Sequence, residues 1–180
     1  MTVTATNLIQ GPATIYAGAF GATEPADIDT APGVGWTDLG GTKEGVTLNI
    51  EQTFADLTVD QIIDVVGRKR TGRSINVATS LAEPTLENLA RAMNNTAPTS
   101  DVVELDNDES AFSPDYGAVL LDGLAPGGLR RRIILRKTLQ TGNIAMAYTK
   151  DGQTVIPVTF ALHWVSASIK ALKIEDETEA

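Results

Sequence analysis

The sequence predicts a mainly β protein, a sandwich or half-barrel with one flanking α-helix. Three observations carry that prediction. Two stretches, 45–54 and 73–82, alternate apolar and polar residues with the period of two expected of a strand buried on one face. Two further stretches, 142–149 and 153–165, flank Lys150-Asp151-Gly152, and Asp-Gly is a favoured two-residue hairpin turn. Against these stands a single helical stretch, 83–94, where Leu86, Leu89, Ala90 and Met93 recur at i, i+3, i+4 and i+7.

In chain order, residues 1–10 are polar and β-branched and read as a loose N-terminal arm or an edge strand. GPATIYAG (11–18) is a first strand, opened by Gly-Pro and carrying Ile15 and Tyr16. Residues 19–35, rich in Gly, Ala, Pro, Thr and Asp, are too long for a tight turn. Trp36 and Leu39 are the next large apolar anchors. A core or loop-anchoring role suits Trp36 better than a place at a subunit interface.

The stretch 44–93 organises the chain as strand, loop, strand, helix. In the first strand Val46, Leu48, Ile50 and Phe54 share one face, and Thr47, Asn49, Glu51 and Thr53 the other. In the second, Ile75, Val77 and Leu81 oppose Ser74, Asn76 and Ser80. Residues 55–72 between them exceed an ordinary hairpin connection and read as a long ordered loop with a function of its own. It carries Leu57, Val59, Asp60, Gln61, Ile62 and Ile63, then the cations Arg68, Lys69 and Arg70, with Arg73 just beyond. The helix follows, with Pro84 at a first helical position and Glu87 placed to pair with Arg91.

Residues 95–115 form an acidic loop in which Asp101, Glu104, Asp106, Asp108 and Glu109 crowd. The spacing lacks the Gly and the terminal Glu of a helix–loop–helix calcium site, so a solvated loop is expected. YGAVLLDG (116–123) reads as a strand, APGG as a turn, and LRRRIILRKTL (129–139) as a strand whose basic ends are exposed and whose middle is covered. In the closing hairpin Ile144, Met146 and Tyr148 share one face, while Ile156, Val158, Phe160, Leu162 and Trp164 share another. Pro157 has no N–H, which places it at an edge or bulge. The remainder, 168–180, is a C-terminal arm that adds a strand and ends in an acidic tip.

Composition narrows the function. A chain of 180 residues makes one domain, and no apolar run reaches the length of a membrane span. MTVTATNLIQ has neither the basic nor the apolar region of a signal peptide. The absence of cysteine excludes disulfides and thiolate metal sites and suits a protein made in a reducing cytoplasm. A net charge of −9 argues against a nucleic-acid binder. The lone histidine, His163, has no cysteine or second imidazole with which to share a metal and reads as structural. Nucleophile elbow, phosphate-binding glycine loop and dinucleotide fingerprint are all missing, so no enzymatic activity and no cofactor are expected.

The stretch WTDLGGT–EGVTLNIEQ–F–DLTVDQ–G–GRSINVATSLAEPTLENLARAM (36–93) resembles the tail tube, or major tail, proteins of long-tailed bacteriophages. Three features carry the resemblance: the opening G-T-x-x-G-V-x-L, the D-Q within the long loop, and A-E-x-T-L-E-N-L at the helix start. YTKDGQTVIPVTFALHW (148–164) adds a closing hairpin of the same kind. The resemblance implies a structural virion protein that self-assembles into stacked, hexameric rings. It implies an inner sheet that closes into a tube barrel on oligomerisation, with DNA as transient cargo during ejection. The 55–72 loop would reach the next ring, and the arms at 1–10, 19–35 and 168–180 would bridge subunits. Implied partners are further copies of the chain and the tape-measure, tail-tip and terminator proteins, with no membrane; assembly would take place in the bacterial host cytoplasm. Leu86, Leu89 and Met93 would form the helix's core contact.

The same resemblance assigns the lumen. Opposite the large apolar residues, the strands present Thr47, Asn49, Glu51 and Thr53; Ser74, Asn76, Ala78 and Ser80; Asn143, Ala145, Ala147 and Thr149; and Thr159, Ala161 and His163. None is Lys or Arg, the residues through which non-specific DNA affinity arises. Two other classes compete: the inner tube of a contractile injection or secretion system, and a sheet-based nucleic-acid-binding module using GRKRTGR and LRRRIILRK.

Overall fold

A computed structural model describes residues 3–178 except 96, 97, 99, 106 and 108. Asp106 and Asp108 of the acidic loop, and the extreme ends of both arms, therefore lie outside the described residues. The strands among those described are β1 (Thr14–Ala19), β2 (Trp36–Asp38), β3 (Thr42–Val59), β4 (Ile62–Leu81), β5 (Gly117–Leu124), β6 (Arg130–Gln140), β7 (Ile156–Leu162) and β8 (Leu172–Asp176). One α-helix, α1 (Leu86–Ala92), accompanies them. The mainly β expectation holds.

All strand pairs are antiparallel, in the order β2-β1-β5-β6-β7-β4-β3, and the sheet is not closed. Strand β6 is the branch point. Its first half, Arg131–Leu135, takes β8 on the side where its last residues, Thr138–Gln140, take β7. Two cores flank this arrangement. The larger unites Ile15, Val77, Leu81, Val119, Leu135 and Phe160, from β1, β4, β5, β6 and β7. The smaller groups Trp36 with Ala118, Leu120 and Ile134.

The 19–35 loop is tied down by groups reaching out of the sheet. Trp36 is buried, and its indole N–H donates to Thr23 O at 2.9 Å, so it is both a core and a loop-anchoring residue. Arg132 is 2 % exposed; it grips both oxygens of Asp122 (2.7 and 2.8 Å) and donates to Asp27 O and Thr30 O. Arg136 pairs with Glu24, and Arg130 donates to Ile28 O. Hydrogen bonding to the Asp122 carboxylate holds the Arg132 guanidinium above its ordinary pKa against the opposing effect of burial. Likewise the hydrogen bond from Arg136 holds the Glu24 carboxyl below its usual range. The expectation of basic, exposed ends thus holds for Arg130 and is corrected for Arg132 and Arg136, which are drawn in; all three bind the loop, through its carbonyls or the Glu24 carboxylate.

Helix α1 is shorter than 83–94. Pro84 lies before it, and Thr85 caps it, accepting from Asn88 N at 3.2 Å. Glu87 and Arg91 pair at 3.1 Å. The core contact is rotated from the expected stripe. Of the expected stripe Ala90 is buried and Leu89 packs half-buried on the main core, while Leu86 and Met93 are also half-buried and the unexpected Asn88 and Ala92 are buried. Asn88 takes the inward position because its amide donates to Leu39 O and Glu83 O, tying the helix to both flanking loops.

Three further expectations change. Residues 55–72 are not a loop: β3 and β4 continue through them as one hairpin, paired from Thr42↔Leu81 to Val59↔Ile62. The strand is entered through a bulge between Lys43 and Val46, where Gly45 sits at φ 79°, which explains a glycine there. In the closing hairpin only β7 is a strand. Residues 143–149 run beside it without ladder bonds, although Thr141 N reaches Thr159 O at 2.9 Å. Pro157 removes a ladder donor on that side. Finally, the C-terminal arm adds the expected strand, β8, but it joins the chain's own sheet, clasped by Arg131–Asp176 at 2.6 Å.

The buried pair gives a direct check. Asp122→Ala strands the Arg132 guanidinium in the interior and should cost about 3–5 kcal/mol in a urea titration. Arg131→Ala, at the exposed pair, should leave the midpoint nearly unchanged.

Candidate interaction surface

Beyond Gln52 and Arg73 the β3–β4 hairpin leaves the sheet. Residues 51–66 are all exposed, and so, with the exception of Gly67 and Gly72, are those that return to the sheet as far as Ser74. Phe54, Leu57, Val59, Ile62, Ile63, Val65 and Val66 are exposed large apolar side chains on this arm. Such a cluster is not what a hairpin alone needs, since a two-stranded ribbon has nothing to bury it against.

The arm is polarised. The turn falls at Asp60-Gln61, so the tip carries Asp60 and Asp64 beside Ile62 and Ile63. GRKRTGR is therefore not the tip but the root. There Arg68 pairs with Asp56 at 2.7 Å, and Arg70 donates to Gln52 at 3.0 Å. Lys69 and Arg73 pair with no carboxylate among the described residues. The register shift between Thr53 and Phe54 sits at the junction of sheet and arm; bulges of this kind bend and twist a ribbon.

At the sheet end of the same hairpin the expected faces hold in part: Val46 and Leu48 are half-buried against the main core, but Ile50 and Phe54, expected beside them, are exposed because the ribbon has nothing beneath it there. Ile75, Val77 and Leu81 are buried, and the opposing face carries Thr47↔Ala78, Asn49↔Asn76 and Glu51↔Ser74 in register. Asn49 donates to Asn76 across the ladder at 2.9 Å. Strand β7 extends this face with Ala78↔Thr159, Asn76↔Ala161 and Ser80↔Pro157. Thr53 closes it opposite Gly72. One cation missed in the sequence borders it: Lys43, opposite Ser80 and exposed. Asn143, Ala145, Ala147 and Thr149 are exposed in alternation with half-buried Ile144 and Met146, which pack on the main core. Tyr148 breaks the alternation and is exposed.

Among the described residues, strand β3 pairs only with β4, so its outer side offers an unpaired row of N–H and C=O groups. Within the chain, none of the amides of 143–149 finds an acceptor among the described residues. Two open main-chain rows thus accompany the exposed arm.

His163 leaves the strand pattern. Its ring meets Tyr116 edge-on at 5.3 Å, beneath which Lys137 stacks 4.2 Å from the Tyr116 centroid. The imidazole Nε2 is buried without a partner. Among the described residues, no cluster of His, Cys, Asp or Glu could hold a metal ion, and no helix is long and apolar enough to cross a membrane. Trp164, expected on the apolar face of β7, instead lies past the strand end and is 74 % exposed. With Arg73, Ile75, Leu162, Lys170 and Leu172 it borders an open groove of about 640 Å³. The sequence flagged Arg73 and Trp164 but gave no signal that Lys170 joins them, because the groove depends on β8 returning to β6.

No protein-family model matches the sequence, and no curated protein matches it.

The two faces of the hairpin should respond differently to charge. Thr47→Lys, on the open face, should change stability by less than about 0.5 kcal/mol. Val77→Lys buries an unpaired charge in the main core and should abolish the cooperative unfolding transition followed by circular dichroism.

Proposed function

We propose that this chain is a structural protein whose copies assemble into rings stacked as the tail tube of a long-tailed bacteriophage. The observation that carries the reading is the arm: a paired, ordered hairpin with seven large apolar side chains exposed and no cover among the described residues of its own chain. A monomer would carry that surface at a cost in solubility; a repeated assembly covers it with the next copy. The open row of β3 and the unpaired 143–149 segment support the same reading, since strand addition between copies satisfies both. In this account the sheet forms a sandwich or half-barrel. Its inner strands β3, β4 and β7, with 143–149, complete a barrel across subunits.

The lumen follows from the polar face. Thr47, Asn49, Glu51, Ser74, Asn76, Ser80 and Thr159 are small or acidic, and a passing phosphate backbone finds few cations to hold it. Lys43 stands at the margin of that surface. The basic strand β6 supports the structural reading over a nucleic-acid module, because Arg131, Arg132 and Arg136 are engaged in ion pairs.

Concentrated purified protein should form tubes or six-fold rings in negative-stain electron microscopy; monodisperse monomers that retain DNA would reverse the reading. Replacing 56–71 with a short Gly-Ser linker should leave a folded domain that grows no tubes. Tubes of normal length from that variant would remove the arm from the account.

A further inference from the structure

We propose that the arm's acidic, apolar tip docks into the basic groove beside Trp164 on a second copy of this chain, a contact that rests on the assembly reading above. The two surfaces match in both chemistries. At the tip, Asp60 and Asp64 are exposed and pair with no cation among the described residues. Val59, Ile62 and Ile63 are exposed beside them, Ile63 completely. The groove has an apolar floor of Ile75, Leu162 and Leu172, walled by Trp164, and its charged lining is Arg73 and Lys170. No carboxylate lines it among the described residues, and neither side chain of that pair meets an acid. An apolar tip with two carboxylates therefore finds apolar cover and two unneutralised cations in one place.

The tip cannot reach the groove of its own chain. Arg73 stands at the arm's root, and about eleven residues of paired strand separate it from Ile62. At roughly 3.3 Å per residue the tip lies some 35 Å away, and the hydrogen-bonded ribbon does not fold back on itself. Tip and groove are different surfaces, so the contact is heterologous. Repeated from copy to copy it does not terminate in a dimer but closes into a ring or runs on as a filament, with successive grooves about an arm's length apart. Nucleic acid is the competing occupant, as the groove joins cations to an aromatic ring. The second copy is favoured because the floor is aliphatic, only two cations line it, and the complementary acids and apolar residues are present on the same chain.

Charge reversal with complementation tests this. One variant carries Asp60→Lys and Asp64→Lys; the other carries Arg73→Glu and Lys170→Glu. All four positions are on the surface, and thermal melts should match wild type. In analytical ultracentrifugation each variant alone should lose association at least about tenfold relative to wild type. An equimolar mixture should regain it, because each tip then faces an opposite groove. The neutral pair Asp60→Asn and Asp64→Asn provides a second measure: wild-type association should fall between 50 and 500 mM salt by roughly an order of magnitude, and that of the neutral variant much less. A mixture of folded variants that stays unassociated overturns the contact, as does a reversed variant that assembles like wild type. Loss of a single-stranded oligonucleotide by the groove variant, with assembly untouched, also overturns it and assigns the groove to nucleic acid. Tubes that ignore charge reversal remove the contact while sparing the tube. Complementing oligomers that never close into tubes spare the contact and remove the tube. Wild-type protein that never associates removes both.

Discussion

A β-strand turns half of its main-chain groups to each side, and β3 has a neighbour on one side only. That constraint shapes the rest of the molecule. The strand runs for 18 residues against β4, which β7 backs only over Asn76–Leu81, so the outer half of the hairpin is a two-stranded ribbon with no third strand. Isolated two-stranded ribbons are marginal in water, and this one also exposes large apolar side chains. Edge strands in soluble proteins are usually shortened, bent away or heavily charged. Here a bulge and several charges are present, yet the apolar residues remain.

The body of the protein is built to hold that hairpin still. Ile75, Val77 and Leu81 anchor one of its strands in the main core, and α1 closes the end through Asn88. On the far side of the sheet, arginines of β6 convert the 19–35 loop into a fixed cover. Arg132 does so with every polar contact made inside the protein, where an unpaired guanidinium would be strongly destabilising. A rigid root lets an arm of this length project in one direction. The same root creates the groove at its foot, since β8, returning to β6, brings Lys170 and Leu172 beside Arg73 and Ile75.

Much of this was legible in the sequence because it follows local periodicity. The alternation placed Val46, Leu48, Ile75, Val77 and Leu81 on the core side, though Ile50 and Phe54 are exposed, and Glu87 and Arg91 pair as their spacing implies. What was not legible depends on partners distant in sequence. Residues 55–72 read as a loop because Asp, Gly and Lys interrupt the alternation, and only the pairing of Asp56 with Arg68 across the ribbon shows that the charges belong to a ladder. The helix face was rotated because Asn88 looks like a surface residue until Leu39 O and Glu83 O are brought to it. Ile144 and Met146 do face the core as their period implied, but Pro157 and the absence of a second neighbour leave that segment without ladder bonds. The groove was invisible for the same reason as Arg132's burial: each needs segments far apart in sequence, β4 and the approach to β8 for the groove, the 19–35 loop and β6 for Arg132.

The central claim is that the arm and the open main-chain rows are surfaces awaiting another copy. Amide hydrogen exchange followed as a function of protein concentration tests it most directly, because it reads main-chain groups one segment at a time. The account predicts fast exchange over 143–149 and the outer arm in dilute protein. On concentration, strong protection should appear in 46–66 and 143–149, while the amides of β5 and β6 stay unchanged. Exchange in those two segments that is identical in dilute and fully concentrated protein would contradict it.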